Sequence, residues 1–171
     1  QLRYTDFGFI FQQMHLVGNL SLMENVLVSG YLNKERTAAE VKTRAEELFS
    51  KMNISHIKTH IPSQVSGGEQ QRCAVARAVI NSPKLLFADE PTGALNRKNT
   101  NEVLNLLTEL NREGQSVLMV THDIRAALRA TRLLYLEDGK ITGELELAPY
   151  VKEEEKSRET QVNAWLSSLE W

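Results

Sequence analysis

The sequence has 171 residues, of which 42% are hydrophobic and 25% charged, an ordinary composition for one or two globular domains that bury a core. Its formal net charge of -2 excludes the strongly basic surface typical of nucleic-acid-binding proteins, so we expect no nucleic-acid partner. No apolar run approaches the roughly 18 residues that cross a bilayer, so any membrane role requires a partner. The single cysteine, Cys73, cannot form an internal disulfide, which favours the reducing cytosol.

The N-terminal third is predicted to contain one strand and two helices. Aromatic and β-branched residues from Phe7 to Phe11 favour a buried strand that ends at the polar Gln12. Two S/T-x-x-E patterns, Ser21–Glu24 and Thr37–Glu40, are typical of capping boxes, in which a hydroxyl and a carboxylate each satisfy a backbone N–H at a helix start. We therefore expect helices to begin at both places, the second running to about Met52.

The middle of the chain is predicted to form a third helix and then a strand that ends in two acids. Ser66–Glu69 is a third capping box, and small apolar residues follow it up to Pro83, before which the helix should stop. The apolar run Leu85–Ala88 predicts a strand buried on both faces, with Asp89 and Glu90 at its carboxyl end. Ligands of open α/β sheets gather at that edge.

A second helix and strand follow with the same spacing. Apolar residues between Val103 and Leu110 share one helical stripe that closes at Gly114, and Ser116–Thr121 predicts another buried strand, which ends at His122. Asp123 can cap the helix that comes next. Because strand, helix and strand alternate, we expect an α/β fold with a mostly parallel sheet.

The C-terminal part is predicted to form a hairpin and a helix. Leu133–Leu136 and Lys140–Leu147 read as two strands joined by a tight turn at Asp138-Gly139. Apolar residues then recur at helical spacing and predict a terminal amphipathic helix: Val162, Trp165, Leu166 and Leu169.

Two of these segments have the residue types that phosphate chemistry needs. Ser66, Gly67 and Gly68 stand at a helix start, where free N–H groups and the positive end of the helix dipole favour an anion and glycine permits close approach. Asp89 fits a Mg²⁺ ligand, direct or through water, and Glu90 fits a base that orients a water molecule. The alternatives are an ordinary capped helix and a solvated pair of acids.

Five segments together resemble, in order, the motifs of the ABC ATP-binding domain. Gln12 is similar to the Q-loop glutamine, Val65–Arg72 to the signature sequence, Leu86–Glu90 to the Walker B segment, Gly93–Asn96 to the D-loop and His122 to the switch histidine. The resemblance covers roughly residues 7–147. It implies a P-loop NTPase-like parallel sheet flanked by helices, with an inserted helical subdomain.

Finer features are similar to one bacterial branch of this family, which serves lipoprotein release, macrolide efflux and antimicrobial-peptide export or resistance. They are Phe9–Gln13, Glu24–Val26 and Phe87–Leu95, and the tail from Ala148 to Trp171 resembles extensions of some peptide-antibiotic members. The expected divisions are residues 1–14, the Q-loop strand and Q-loop; 15–82, the helical subdomain and signature helix; 83–147, the catalytic core; and 148–171, a C-terminal amphipathic helical extension.

The resemblance also implies a mechanism and partners. Glu90 would act as general base, His122 would contact the γ-phosphate, and Gln12 and Asp89 would bind the Mg²⁺ that accompanies ATP. A second such domain would complete each ATP site, and permease subunits would bind near Leu16–Leu32 at the cytoplasmic face of the plasma membrane. The residues implied for ATP binding are Ser66, Gly67, Gly68, Glu69, Asp89 and Asn96.

Two features depart from the family pattern. No G-x-x-x-x-G-K-[ST] motif is present, since the only Gly-Lys pair, Gly139-Lys140, is followed by Ile141. We therefore expect the 171-residue chain alone to be inactive and to fold poorly, with a central strand missing beside Val117–Val120. Asn96 stands where the family usually has aspartate. The alternatives are a translation-type or repair-type relative, although no heptad coiled coil precedes the signature, and a catalytically silent fragment.

Overall fold

The computed structural model describes residues 6–169, and these form two compact units, one ending at Val120 and the other beginning at Thr121. Of the predicted first division, residues 1–5 lie outside the described residues, as do residues 170–171 of the predicted extension. The first unit alternates strands and helices. Its elements are β1 (Phe7–Phe11), α1 (Leu22–Gly30), α2 (Ala38–Lys51), α3 (Gly67–Val79), β2 (Leu85–Asp89), α4 (Arg97–Arg112) and β3 (Ser116–Val120).

Local capping decides where α1, α2 and α3 begin. Ser21, Thr37 and Ser66 are their N-caps, and each hydroxyl accepts a hydrogen bond from the backbone N–H of the glutamate three residues on. Each glutamate in turn accepts from the backbone N–H of its cap residue. The three helix starts predicted from the sequence are confirmed, and α3 ends at Val79, before Pro83.

The three strands form one parallel sheet in the order β1-β2-β3. The register pairs Phe9 with Phe87 and Phe87 with Leu118. At the carboxyl edge, Phe11 pairs with Asp89 and Asp89 with Val120. The predicted parallel α/β arrangement is confirmed, and the residues after β1 and β2 leave the sheet side by side.

The sheet buries only one of its two faces among the described residues. Ile10, Leu86 and Ala88 are buried in the core that α3 and α4 share with the sheet. On the other face, Phe9 is 50% exposed and Leu118 49% exposed. The prediction that Leu85–Ala88 is buried on both faces, and that the strand from Ser116 is buried, was therefore wrong. Alternate residues of a strand face opposite sides, and apolar composition alone does not decide whether both sides are covered.

The core of the first unit lies between the buried sheet face and helices α1 to α4. Cys73 on α3 belongs to it, with no exposed surface, and burial raises the pKa of its thiol to about 12. A thiol with this pKa stays protonated near neutral pH, so Cys73 serves packing rather than chemistry. The fully buried neighbours that define this core include Leu22, Val26, Phe49, Met52, Ile54 and Leu86.

The second unit contains a short helix, a hairpin and a longer helix. Its elements are α5 (Ile124–Ala127), β4 (Arg132–Glu137), β5 (Lys140–Glu146) and α6 (Glu155–Ser168). Asp123 caps α5 as predicted, by accepting a hydrogen bond from the backbone N–H of Arg125. The predicted hairpin is confirmed, and its turn places Asp138 and Gly139 at φ 48° and 74°, where glycine is favoured.

Helix α6 is anchored by one buried arginine. Arg158 is 6% exposed, and its guanidinium donates to the carbonyl oxygens of Leu128 at 2.5 Å and Ala148 at 2.7 Å, and to that of Ala130. Of the apolar stripe predicted for this helix, only Val162 is fully buried, and it lies in the second half of α6. The amphipathic character expected of α6 is confined to that half.

Candidate functional site

The carboxyl edge of the sheet brings together three residues that the sequence singled out. Gln12 follows β1 directly, Asp89 ends β2 and Glu90 follows it, and Phe11 and Asp89 are register partners. The fourth, His122, comes two residues after β3 and belongs to the second unit. Residues with amide and carboxylate side chains thus lie side by side at the edge where ligands of parallel α/β sheets bind.

The backbone of Glu90 adopts an uncommon conformation. Its φ is 43°, in the left-handed region that residues other than glycine seldom occupy. Its N–H donates to the carbonyl of Val120 at 2.9 Å, and its own carbonyl accepts from the N–H of Gly93 at 3.1 Å. Strand β3 and the following turn therefore hold Glu90 in this conformation, and such strain is found most often at functional sites.

Gln12 lies directly against the turn that follows Glu90. A β-carbon placed on Gly93 would be 2.9 Å from the Gln12 Nε2 atom and 3.1 Å from its Cδ, so a side chain at position 93 would displace the glutamine. Two segments that the resemblance treats separately, the Q-loop and the D-loop, are in contact here. Glycine at position 93 allows that contact.

The start of α3 exposes one of its two glycines and buries the other. A β-carbon on Gly67 would meet only Leu95 at 3.8 Å and Met14 at 4.0 Å, which is ordinary contact. A β-carbon on the buried Gly68 would lie 2.3 Å from the Asn99 side-chain carbon of α4. Gly67 therefore leaves the helix start open to a ligand, whereas Gly68 lets α3 and α4 approach each other.

Ser66 and Glu69 are hydrogen-bonded to each other at this helix start. One Glu69 oxygen accepts from the Ser66 hydroxyl at 2.7 Å and from its backbone N–H at 2.8 Å. The Ser66 hydroxyl, and then its backbone N–H, hold the pKa of the Glu69 carboxyl below its usual value. Both side chains complete the capping box, and the positive dipole end of α3 remains for an anion.

Asn96 has a local role that the sequence comparison did not reveal. It is the N-cap of α4, and its side-chain oxygen accepts from the N–H of Asn99 at 3.0 Å. Asparagine and aspartate are equally good N-caps, so replacement of the usual aspartate preserves the start of α4. The sequence could have indicated this N-cap role, because Asn96 stands directly before a helix and asparagine is favoured at that position.

Two further residues reach the site from α3, and the sequence analysis missed both. Gln71 donates to the carbonyl of Phe11, and Arg77 donates to the carbonyls of Met14 and His15. Their partners lie about 60 residues earlier in the chain, and no local pattern indicates such a bond.

The donor set at the sheet edge fits a magnesium nucleotide. Asp89 and Gln12 are both exposed, and they offer the carboxylate and amide oxygens that hard divalent cations prefer. In nucleotide sites Mg²⁺ takes only one or two carboxylates and fills its remaining positions with phosphate oxygens and water. Asp89 and Gln12 thus have the donor types that such a nucleotide-bound Mg²⁺ would take from the protein.

Comparisons with known proteins agree with this geometry. A family model described as "ABC transporter" matches residues 2–93. The macrolide export ATP-binding/permease protein MacB of Bradyrhizobium diazoefficiens is 44% identical over 143 residues, which are 84% of this chain and 22% of that protein. The chain thus spans less than a quarter of this relative's length. Among the described residues, no helix is long and apolar enough to cross a membrane.

Solved structures with the same fold include two of a dimeric cassette. Both show the same bacterial ABC transporter cassette as a dimer, one at 38% identity and the other, in a post-hydrolysis state bound to ADP and Pi, at 36% identity. Each match has a TM-score of 0.75 and covers 86% of this chain and 65% of the cassette. The parallel sheet and its helices are therefore those of the P-loop NTPase fold. With its sheet-edge donors, its glycine-led helix start and the family match in agreement, the chain belongs to the ABC transporter family, within the ATP-binding domain.

Proposed function

We propose that this chain is part of the ATP-binding and ATP-hydrolysing domain of a bacterial ABC transporter that exports, or confers resistance to, antibiotics or peptides. The observation that carries the proposal is the meeting of Gln12, Asp89 and Glu90 at one edge of the sheet, with Glu90 held in an uncommon backbone conformation. The chain spans 22% of the MacB relative and 65% of the similar cassette, so turnover is assigned to the full-length protein.

Each residue at the sheet edge has a separate task in this proposal. Mg²⁺ supplies charge neutralisation on the phosphates, and Asp89 and Gln12 are the residues that would hold it. Glu90 accepts a proton from the attacking water and orients it, while His122 contacts the γ-phosphate. Because the reacting phosphoryl group needs little covalent assistance, most of the rate enhancement comes from positioning and electrostatics.

A second ATP-binding domain completes each site in the proposal. The open N-terminus of α3 at Gly67, with its dipole, would bind the γ-phosphate of ATP held by the other domain. Ser66 and Glu69 keep that helix start in shape through their capping box. The dimeric state of the similar cassette, seen in both of its structures, supports this arrangement.

We further propose that α1 and the residues on either side of it contact permease subunits at the cytoplasmic face of the plasma membrane. Not every apolar residue of the expected segment Leu16–Leu32 is available for this contact, because Leu22 is fully buried and Met23 packs against the core. The large apolar side chains that are exposed between positions 16 and 32 are Val17, Val28, Tyr31 and Leu32. Exposed apolar side chains such as these are the kind that a partner protein would cover.

The transported substrate is the least constrained part of the proposal. The MacB relative is a macrolide exporter by name, which favours a macrolide over the peptides and lipoproteins handled by similar transporters.

The competing interpretation is a catalytically silent segment, favoured by the lack of a Walker A motif within the 171 residues. We propose that the isolated chain does not turn over ATP and that the full-length protein does.

The test is ATP turnover by the full-length protein, with and without the change Glu90→Gln. The amide keeps the size of the carboxylate and stays in the same turn, yet it cannot accept a proton. Nucleotide binding should therefore persist, while turnover falls well below one-tenth of the wild-type rate. Retention of more than about one-tenth of the wild-type rate corresponds to less than about 1.4 kcal/mol of lost transition-state stabilisation and would exclude the assigned role. Nucleotide-bound dimers of the variant, seen by size exclusion, should accumulate.

A further inference from the structure

Helix α3 is tied to the segment after β1 by three side-chain hydrogen bonds to backbone carbonyls. Gln71 Nε2 donates to Phe11 at 3.2 Å. Arg77 donates through Nη2 to Met14 and through Nη1 to His15, both at 2.7 Å. The bonds fall on both sides of Gln12, with one residue held before it and two after it.

The segment needs such ties because it has no regular structure of its own. Residues 12–16 are neither helix nor strand, and His15 adopts φ 49°, in the left-handed region. At the far end, the buried Asn25 of α1 accepts from the Val17 N–H at 2.7 Å and donates to the Val17 carbonyl at 3.1 Å. The position of Gln12 is therefore set by side chains of α1 and α3 rather than by a local backbone ladder.

Packing alone does not explain a glutamine at position 71. Its side chain is fully buried, and its Oε1 atom has no hydrogen-bond partner within the described part of the chain. A buried acceptor left unpaired destabilises a fold, whereas an apolar side chain of the same shape is neutral or stabilising. Glutamine at position 71 supplies the hydrogen bond to the Phe11 carbonyl, which methionine could not make.

Arg77 is held in a similar way. Its guanidinium is partly buried, and burial lowers its pKa from the ordinary value, yet its hydrogen bonds to Met14 and His15 go to neutral carbonyls. Bonds from a charged donor are stronger than neutral ones and fix direction as well as distance. Arg77 therefore orients the backbone just after Gln12 firmly.

We propose that Gln71 and Arg77 are positioning residues for Gln12. They join the helix that begins at the signature glycine Gly67 to the Q-loop, so that a displacement of α3 moves Gln12 against Gly93. This inference rests on the proposed function for its catalytic consequence, and its structural part is independent of it. A ligand bound at the N-terminus of α3 would thus adjust the ligand set at the sheet edge of the same chain.

The structural part is tested by hydrogen–deuterium exchange of the full-length protein, followed in the peptide that covers residues 12–16. In Arg77→Ala, exchange in this peptide should be faster by about tenfold or more, while peptides of α2 are unchanged. Arg44→Ala is the matched control, because Arg44 is also partly buried and donates to the carbonyls of Ile80 and Val79. It should leave residues 12–16 unaffected.

A second variant distinguishes a positioning role from a general loss of the fold. Gln71→Met keeps the volume and removes the unpaired acceptor, so its melting temperature should stay the same or rise, while exchange at residues 12–16 becomes faster. A merely structural role predicts the opposite, a lower melting temperature with faster exchange throughout. Unchanged exchange at residues 12–16 in both variants, or equal loosening in Arg44→Ala, would overturn the proposal.

The catalytic part is tested by ATP turnover of the same proteins as a function of Mg²⁺ concentration. In Arg77→Ala, kcat should fall about tenfold or more and half-maximal activity should need several-fold more Mg²⁺, with KM for ATP changed less than about twofold. Arg77→Lys, which keeps one donor, should restore part of kcat. Unaltered Mg²⁺ dependence overturns the catalytic part. Absence of turnover in the wild type refutes the proposed function instead. The exchange result still decides whether Gln71 and Arg77 hold the segment around Gln12 in place.

Discussion

The side chain of Asn99 on α4 lies so close to Gly68 on α3 that a β-carbon at position 68 would come within 2.3 Å of its amide carbon. A side chain at position 68 would therefore displace Asn99, so glycine there serves the packing of α3 against α4. The first glycine, Gly67, has ordinary space around it. We therefore expect the two adjacent glycines to differ in what they contribute to stability.

We predict that Gly68→Ala destabilises the protein by about 1 to 3 kcal/mol, because overpacking forces α3 and α4 apart or Asn99 out of its place. Gly67→Ala should leave the free energy of unfolding within about 1 kcal/mol of wild type, since its added methyl group finds space. Its effect should instead appear as weaker ATP-dependent dimerisation. Denaturant unfolding and size exclusion with ATP measure the two effects, and equal destabilisation by both changes would contradict the assignment.

Gly93→Ala should reduce turnover with little loss of stability, whereas Gly68→Ala should reduce stability. The atoms that its methyl group would displace are at the end of the flexible Gln12 side chain, so the melting temperature should change little. The displaced amide no longer serves the sheet edge, and turnover of the full-length protein should fall by about tenfold or more. A loss of turnover that only follows a loss of fold would show that Gly93 serves folding alone.

The exposed apolar side chains in α1 and just after it should matter for transport but not for ATP hydrolysis. Val28 is 54% exposed and Leu32 50% exposed, so replacing both with aspartate removes no core contact. We expect resistance or export by the assembled transporter to fall several-fold while the ATPase rate of the separately purified ATP-binding domain changes less than about twofold. The control is Leu22→Asp, at a fully buried position, which should abolish the cooperative melt.

Arg158 should be among the most sensitive positions of the second unit. Replacing it with methionine leaves the carbonyls of Leu128, Ala130 and Ala148 without their donor, and we expect a loss of about 3 kcal/mol or more. The matched change is Arg132→Met, since Arg132 is an exposed arginine that pairs with Glu144, and solvent screening leaves such exposed pairs with little effect on stability. Unfolding of this unit, followed by its own tryptophan signal, gives both values.

The uncovered sheet face predicts self-association of the 171-residue chain. Phe9, Leu118 and Val120 expose large apolar surfaces, Val120 to 63%, and β3 is an edge strand of the described sheet. Exposed apolar edges recruit further strands, so light scattering should rise with protein concentration. Leu118→Lys should suppress the effect. A chain that stays monomeric, melts cooperatively and binds ATP at micromolar affinity would contradict both this prediction and the proposed inactivity of the isolated chain.

Local chemistry in the sequence determined most elements and their order. Capping boxes at Ser21, Thr37 and Ser66 specify helix starts because their hydrogen bonds span only three residues, and the apolar run before Asp89 specifies a strand for a similar reason. The spacing of motifs from Gln12 to His122 was sufficient to indicate the family. All of these signals are contained within short windows of the chain.

Tertiary structure alone decided which of these residues are buried and what holds the site. The strand Ser116–Val120 is apolar, but its exposure depends on what packs against each face of the sheet. The bonds from Gln71 and Arg77 to the segment around Gln12 join residues about 60 positions apart, so they exist only once α3 has packed on β1. Local patterns encode hydrogen bonds between neighbours in sequence, whereas positioning of Gln12 depends on neighbours in space.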